Sequence, residues 1–264
     1  MTDWLALCRE AVEDVRGVLG ELPTRADREP VVGAGMGGDD TTAIDAAAER
    51  AILRRFESVE DDLTIVSEEL GTKGDGGTYV VVDPIDGSLN AKRGIPFFSL
   101  SVAVASGPTM ADVDFGFVHD FGTNEEWVGR RGGAAWLNDV QLDGEGPKDR
   151  IEILSFEATR TASVAEKASA VVDLAYRLRI MGSLALSLCH LAAGRVDAVC
   201  SLKPARSVDI AAAQLLVRER GLRIELPDDG LPFGEAKLDL EGRSRVVAAG
   251  NSELCRQLTA ALSA

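Results

Sequence analysis

Histidine is nearly absent from this chain, and cysteine is sparse. The only histidines are His119 and His190, so a catalytic triad that depends on a histidine base has few places to form. The cysteines at positions 8, 189, 200 and 255 include no Cys-x-x-Cys pair, which argues against zinc sites and thioredoxin-like redox motifs. We expect Cys8 and Cys189, which lie on apolar helical patterns, to be buried thiols, and His190 to be a helix residue rather than a ligand.

Long apolar runs and a basic N-terminus are also missing. No apolar run approaches the roughly 20 residues that a membrane-spanning helix needs. The first residues, Met-Thr-Asp-Trp, lack the positive charge that begins a signal peptide. We therefore expect a cytoplasmic protein with no membrane partner.

Basic residues are fewer than acidic ones, 28 against 43, which gives a formal net charge of −15. Such a surface repels nucleic acid as well as anionic membranes, so we expect no nucleic-acid partner. It also repels a phosphate substrate, unless metal ions reverse the local field.

The chain is long enough, at 264 residues with 45% hydrophobic content, to bury a substantial core. A polar, glycine-rich stretch at 143–150 is the best candidate for a boundary. We therefore predict an N-terminal α+β half (1–145) and a C-terminal α/β half (146–264) that together form one domain.

Apolar spacing predicts secondary structure along both halves. Helices are predicted over 3–20, 42–57, 163–176, 183–193 and 208–219, with a closing helix from 252. Strands are predicted over 63–66, 79–83, 151–154, 197–200, 222–226 and 246–249, with an antiparallel meander through 98–129 and a flexible loop at 33–38.

The most informative segment is Asp-Pro-Ile-Asp-Gly-Ser at residues 83–88. It follows a β-branched run that predicts a buried strand. Because proline fixes φ and lacks an N–H, we expect the strand to stop at Asp83, with Asp83 and Asp86 facing a crevice. The N–H groups of Gly87 and Ser88 follow, where an anion could bind. Oxygen ligands beside an anion site indicate magnesium chemistry on a phosphate, although these residue types also form simple turns.

Acidic residues elsewhere extend this pattern. Glu68 and Glu69 follow a predicted strand, where a solvated loop end is the alternative interpretation. Asp45 opens a predicted helix. Asp209 begins another helix that is otherwise apolar, where a charge without a partner is costly. An acid in the first turn of a helix is also favoured by the helix dipole, which is the structural alternative for Asp209.

Taken together, these motifs resemble the inositol monophosphatase family. The resemblance lies in Glu68-Glu69, in residues 83–90 and in residues 94–104, and it extends over most of the chain. Residues 35–39 and 90–96 resemble the archaeal fructose-1,6-bisphosphatase/inositol monophosphatase branch in particular. The resemblance implies the α/β (α+β) class and a layered α/β/α/β/α sandwich, with the site between an antiparallel and a mixed sheet.

The resemblance also implies a cofactor, two or three Mg²⁺ ions per site, and a role for each matching residue. The implied metal ligands are Glu68, Asp83, the backbone carbonyl of Ile85, Asp86 and Asp209. The implied catalytic residues, which hold and orient the attacking water, are Asp45, Glu68 and Ser88. The implied substrate-binding residues are Asp86, Gly87, Ser88, Gly182, Ser183, Arg179 and Arg206.

The chain departs from the family pattern in three places. Ser88 stands where the family usually has threonine, which keeps the hydroxyl. Val208 replaces a tryptophan and removes an aromatic wall. Residues 201–206 replace a segment in which animal members usually place a glutamate that contacts inositol. The basic Arg206, together with Arg179, favours a substrate with more phosphate, and the alternative is that both are surface residues.

The implied function is a Mg²⁺-dependent phosphomonoesterase for small sugar or polyol phosphates, with fructose 1,6-bisphosphate and inositol 1-phosphate as candidates. One alternative is an adenosine 3′,5′-bisphosphate 3′-phosphatase, although the sequence shows no obvious adenine pocket. Another is a non-catalytic phosphate-binding protein of the same fold, which the full set of carboxylates argues against. The resemblance also implies a homodimer or homotetramer.

The acidic composition generates a prediction about salt. Only six of the basic residues are lysine, and many acids with few lysines are typical of proteins from salt-loving archaea. Under this hypothesis, molar KCl raises the free energy of unfolding because it screens repulsion between surface carboxylates. Denaturant unfolding with and without KCl measures the effect, and indifference to salt would contradict a high-salt habitat.

Overall fold

A computed structural model describes residues 2–36, 40–59, 62–143, 148–157 and 160–263. The helices are α1 Trp4–Glu21, α2 Arg25–Arg28, α3 Ala43–Glu57, α4 Ser88–Arg93, α5 Thr161–Ala168, α6 Leu184–Ala192, α7 Ser207–Glu219 and α8 Ser252–Ser263. The strands are β1 Val31–Ala34, β2 Asp40–Thr42, β3 Leu63–Ser67, β4 Gly71–Lys73, β5 Thr78–Asp86, β6 Ser99–Ala105, β7 Val113–Asp120, β8 Glu126–Arg130, β9 Ala134–Leu137, β10 Val140–Gln141, β11 Ile151–Glu157, β12 Ala175–Arg179, β13 Ala198–Ser201, β14 Arg223–Glu225 and β15 Val247–Ala249. None of the described helices has the length and apolar character that a bilayer crossing requires.

The first half builds a sheet of eight strands in the order β10-β9-β8-β7-β6-β5-β3-β4. Strands β5 to β10 form an antiparallel meander, as the sequence predicts, and β3 runs parallel to β5. Side chains alternate between the two faces of this sheet. Val80 and Val82 pack in the cluster that contains α1 and α3, whereas Val81 packs in the cluster that contains α6 and α7. Both faces are therefore covered by helices.

The second half builds a mixed sheet in the order β12-β11-β13-β15-β14. Val199 and Ala248 pack on its α6/α7 side, whereas Cys200 and Val247 pack on the side covered by α8. The layers are thus α1 and α3, the large sheet, α6 and α7, the small sheet, and α8. The predicted α/β/α/β/α sandwich is confirmed, with α6 and α7 shared between the two sheets.

Strand β5 departs from the prediction that it ends at Asp83. It continues through Pro84 to Asp86, and its pairing with β6 shifts between Asp83, opposite Ser101, and Asp86, opposite Ser99. The shift acts as a bulge, and a bulge tolerates proline because the missing N–H leaves no ladder partner unsatisfied. Both acids therefore lie on strand residues rather than in a loose turn.

Two other local predictions were wrong. The helix predicted over 163–176 ends at Ala168, and β12 follows at the sheet edge parallel to β11. The loop predicted at 33–38 begins with β1, which pairs antiparallel to β2, while residues 37–39 lie outside the described residues. Helix α4 was not predicted.

The boundary predicted at 143–150 includes residues 144–147, which lie outside the described part of the chain. The division into 1–145 and 146–264 stays a prediction.

Cys8, Cys189 and His190 lie where the sequence analysis predicts them. Cys8 and Cys189 are free and fully buried in helices α1 and α6. His190 lies in α6 between the rings of Phe97 and Trp127, with which it makes stacked and edge contacts. The two thiols belong to the packed interior of the protein, and His190 is partly buried against aromatic side chains.

Candidate active site

The end of β5 and the start of α4 form one wall of a cleft. Gly87 has a φ of 94°, a left-handed conformation, and a Cβ there would lie 3.1 Å from the carbonyl oxygens of both Gly182 and Phe97. Glycine is therefore favoured here, because other residues rarely adopt this φ and their Cβ would crowd both carbonyl oxygens. The Ser88 hydroxyl donates to the Ile85 carbonyl oxygen at 2.9 Å. The predicted phosphate-binding residues Gly87 and Ser88 thus stand directly beside the predicted metal carbonyl.

Asp86 joins the two halves of the protein. Its Oδ2 accepts hydrogen bonds from the Ser183 hydroxyl at 2.5 Å and from the Ala185 N–H at 2.8 Å, both at the start of α6. Burial raises the pKa of Asp86 to about 7, opposed by the Ser183 hydrogen bond and reinforced by the charge of Asp209. Ser183 therefore acts here by holding this carboxylate, while Gly182 lines the same cleft.

Asp209, in the first turn of α7, points toward the same cleft. Carboxylate oxygens of Glu68, Asp83 and Asp209 lie within 4.8 Å of one another, a grouping that suits a metal ion. Burial, followed by the charges of Glu68, Asp86 and Asp209, raises the pKa of Asp83 well above its usual value. Burial also raises the pKa of Glu68 to about 7, partly offset by Arg206. The structure thus brings the acids of both halves together.

Asp45 enters the cleft from the first turn of α3. Its Oδ2 accepts from the Thr42 N–H at 3.3 Å, which is one half of a capping box, and also from the Thr42 hydroxyl. Its Oδ1 is buried with no hydrogen-bond partner among the described residues. A buried carboxylate oxygen without a partner is unfavourable, so this atom is available to a bound water or cation.

Two buried glutamates that the sequence analysis missed position the cleft residues. Glu49 accepts from the N–H groups of Glu69 and Leu70, at 3.1 and 2.9 Å, and so fixes the segment that carries Glu68. Glu157, at the end of β11, accepts from the Gly182 N–H at 2.8 Å. Glu49 lies four residues after Asp45 on one face of α3, and this spacing was the available signal.

The two arginines predicted to bind substrate differ in their exposure and in their contacts. Arg179 is exposed on edge strand β12, donates to the Leu178 carbonyl and does not line the cleft. Arg206 is not a surface residue, because only 11% of its side chain is exposed and it forms ion pairs with Glu68 and Asp209. The surface interpretation therefore fits Arg179 and is wrong for Arg206.

The cleft has a volume of about 320 Å³, at the lower end of the range for small-molecule sites. It is lined by the predicted acids, by Gly87 and Ser88, and by two lysines that the sequence analysis had not assigned to it, Lys92 and Lys203. Negatively charged carboxylates thus lie beside groups that attract phosphate.

Comparisons with known proteins agree with this geometry. The sequence profile of the inositol monophosphatase family matches residues 5–264. The chain belongs to this family. Relatives include a fructose-1,6-bisphosphatase/inositol-1-monophosphatase of Methanothermobacter thermautotrophicus, 34% identical over 95% of this chain and 93% of its own. Nus factor SuhB of Pasteurella multocida is 37% identical over 69% of this chain and 70% of its own.

A crystal structure of an inositol monophosphatase–fructose 1,6-bisphosphatase is also similar. It has a TM-score of 0.85 at 26% identity and covers 98% of this chain and 100% of its own. The resemblance and the fold class expected from the sequence are confirmed. The chain is a phosphoric monoester hydrolase of the family that acts on sugar phosphates.

The crowding of acids in the cleft generates a stability prediction. In the unsubstituted protein the Ile85 N–H donates to Asp83 Oδ1 at 3.0 Å. Asp83→Asn removes one buried charge but keeps an oxygen that can accept this hydrogen bond. In metal-free buffer we expect the variant to gain on the order of 1 kcal/mol of unfolding free energy, because repulsion among the acids falls. Denaturant unfolding in EDTA measures it. Asp75→Asn, in an exposed loop, is the matched control, and a loss of stability in Asp83→Asn alone would contradict the repulsive cluster.

Proposed function

We propose that this protein is a Mg²⁺-dependent phosphomonoesterase acting on small sugar or polyol phosphates, with fructose 1,6-bisphosphate and inositol 1-phosphate as its candidate substrates. The observation that carries the proposal is the convergence of Asp209 from the second half on Asp83 and Glu68 from the first. Hard oxygen donors in a buried cluster fit Mg²⁺, and the unpartnered Oδ1 of Asp45 nearby fits a site completed by water or an ion.

Five positions would hold the metal ions, two or three per site. These are the carboxylates of Glu68, Asp83, Asp86 and Asp209 and the carbonyl of Ile85. When bound, Mg²⁺ supplies Lewis acidity, which activates water and offsets the charge of the phosphoryl oxygens. This chemistry needs no histidine base, which agrees with the packing of His190 against the rings of Phe97 and Trp127.

The protein's own groups orient the reactants. Asp45 Oδ1 accepts a hydrogen bond from the attacking water, while Thr42 fixes the opposite oxygen of the same carboxylate. The Ser88 hydroxyl, which lines the same cleft, helps to orient that water. The N–H groups of Gly87 and Ser88 donate to the phosphoryl oxygens as charge accumulates there. Ser183 keeps Asp86 in place throughout.

Two lysines support a bisphosphate as one of the substrates. Lys92 and Lys203 line the cleft in a protein whose formal charge is −15, so they provide positive charge where a second phosphate would lie. The names of the archaeal relatives support both candidate substrates, because they combine fructose-1,6-bisphosphatase with inositol-1-monophosphatase.

The nucleotide 3′-phosphatase alternative has less support. None of the described residues that line the cleft is aromatic, so the cleft offers no stacking surface for adenine. The homodimer or homotetramer, the cytoplasmic location and the high-salt habitat stay predictions.

The metal-ligand assignment predicts the effect of neutral substitutions. We expect wild-type protein to release phosphate from both candidate substrates with Mg²⁺ and to lose this activity in EDTA. Asp86→Asn and Asp209→Asn should each lower kcat more than roughly a hundredfold, because even indirect changes at metal sites cost ten- to hundredfold. Far-UV circular dichroism checks that both variants fold, and Asp75→Asn is the control. Absence of phosphate release from a panel of sugar phosphates would overturn the proposal.

The two lysines generate a prediction about substrate choice. In the double variant Lys92→Met, Lys203→Met, we expect KM for fructose 1,6-bisphosphate to rise roughly tenfold more than KM for inositol 1-phosphate. One lost charge-assisted hydrogen bond is worth about that factor. Lys73→Met, at an exposed ion pair with Glu57, serves as the control for lost charge. An equal change for both substrates would contradict a contact with the second phosphate.

A further inference from the structure

Arg206 is held against two of the proposed metal ligands. Its Nη2 lies 3.0 Å from Asp209 Oδ1, its backbone N–H donates to Asp209 Oδ2 at 2.7 Å, and its Nη1 contacts Glu68 Oε1. All three side chains are largely buried, with exposed fractions of 11% for Arg206, 14% for Asp209 and 15% for Glu68. The guanidinium is therefore a fixed part of the cluster rather than a mobile surface group.

The position of Arg206 in the chain explains why it is fixed. It is the residue before the first turn of α7, and Asp209 lies three residues later, so backbone and side chain of Arg206 both reach the same carboxylate. An arginine side chain does not lose its proton in proteins, so the cluster always contains this positive charge. The charge partly neutralises a group of acids that would otherwise repel one another.

The same contacts conflict with metal binding. A divalent ion between Glu68, Asp83 and Asp209 would share the carboxylates of Glu68 and Asp209 with the guanidinium, and two cations repel each other at such short range. We propose that Arg206 is an internal counter-cation that competes with divalent metal for Glu68 and Asp209, so that metal binding must displace its guanidinium. This inference rests on the proposed function, because it assumes that these acids hold the metal.

Competition makes a prediction opposite in sign to that of a supporting role. Residues that hydrogen-bond to metal ligands often hold those ligands in the orientation that the metal needs. If Arg206 did this, its removal would weaken metal binding. If it competes, its removal tightens metal binding and destabilises the metal-free protein, because buried carboxylates lose their counter-charge. The two effects together identify a competitor.

The experiment uses the full-length protein and titrates Mg²⁺ and Mn²⁺ calorimetrically without substrate. We expect Arg206→Gln and Arg206→Met to bind metal roughly tenfold to hundredfold tighter than wild type, the range that couplings between contacting groups produce. Their thermal midpoints in EDTA should fall, and their gain on adding Mg²⁺ should exceed that of wild type. Arg206→Lys keeps the charge and should bind metal with nearly wild-type affinity.

Arg177→Gln is the matched control, because Arg177 lies on β12 and its loss removes the same charge from an exposed ion pair with Glu152. It should leave metal affinity unchanged. Unchanged or weaker metal binding by Arg206→Gln would overturn the competition while leaving the proposed phosphatase intact. Failure of wild type to bind either metal would overturn both. If Arg206→Met does not fold, Arg206→Gln and Arg206→Lys still decide the question.

Discussion

Carboxylates repel one another in the buried cleft of this protein, and the rest of the structure depends on how the fold holds them together. Burial is the largest cause of the raised pKa values of Glu68, Asp83 and Asp86, and the neighbouring acids add to it. Neutral donors such as the Ser183 hydroxyl fix the geometry without removing the charge. Arg206 adds an opposite charge. A cluster held in this way is unfavourable when empty, and it is correspondingly suited to divalent cations.

The layered fold assembles this cluster from local rules. Asp45 and Asp209 are each the third residue of a helix. Each carboxylate accepts a hydrogen bond from the backbone N–H of the residue that precedes the helix, and this arrangement stabilises both helix starts. Asp83 and Asp86 extend from a strand that is buried on both faces. Because α6 and α7 pack between the two sheets, the starts of these helices meet the end of β5. Helix capping and site construction therefore use the same side chains.

The sequence allowed much of this to be predicted, because apolar periodicity and a compact acidic motif are local signals. It did not reveal the roles of Glu49 and Glu157, whose partners lie far away in sequence and become neighbours only through sheet packing. It likewise indicated that Arg206 is basic without indicating what it contacts. The helix predicted through 176 failed because parallel pairing with β11 outweighs local propensity in β12.

The most direct test of the central claim is to locate the metal. Crystals soaked in Mn²⁺ and measured near the manganese absorption edge would give anomalous density wherever the ion binds. The account predicts peaks coordinated by Glu68, Asp83 and Asp209, with the Arg206 guanidinium moved away from Glu68. Peaks only at other acids, or no peak in the cleft at saturating Mn²⁺, would contradict it.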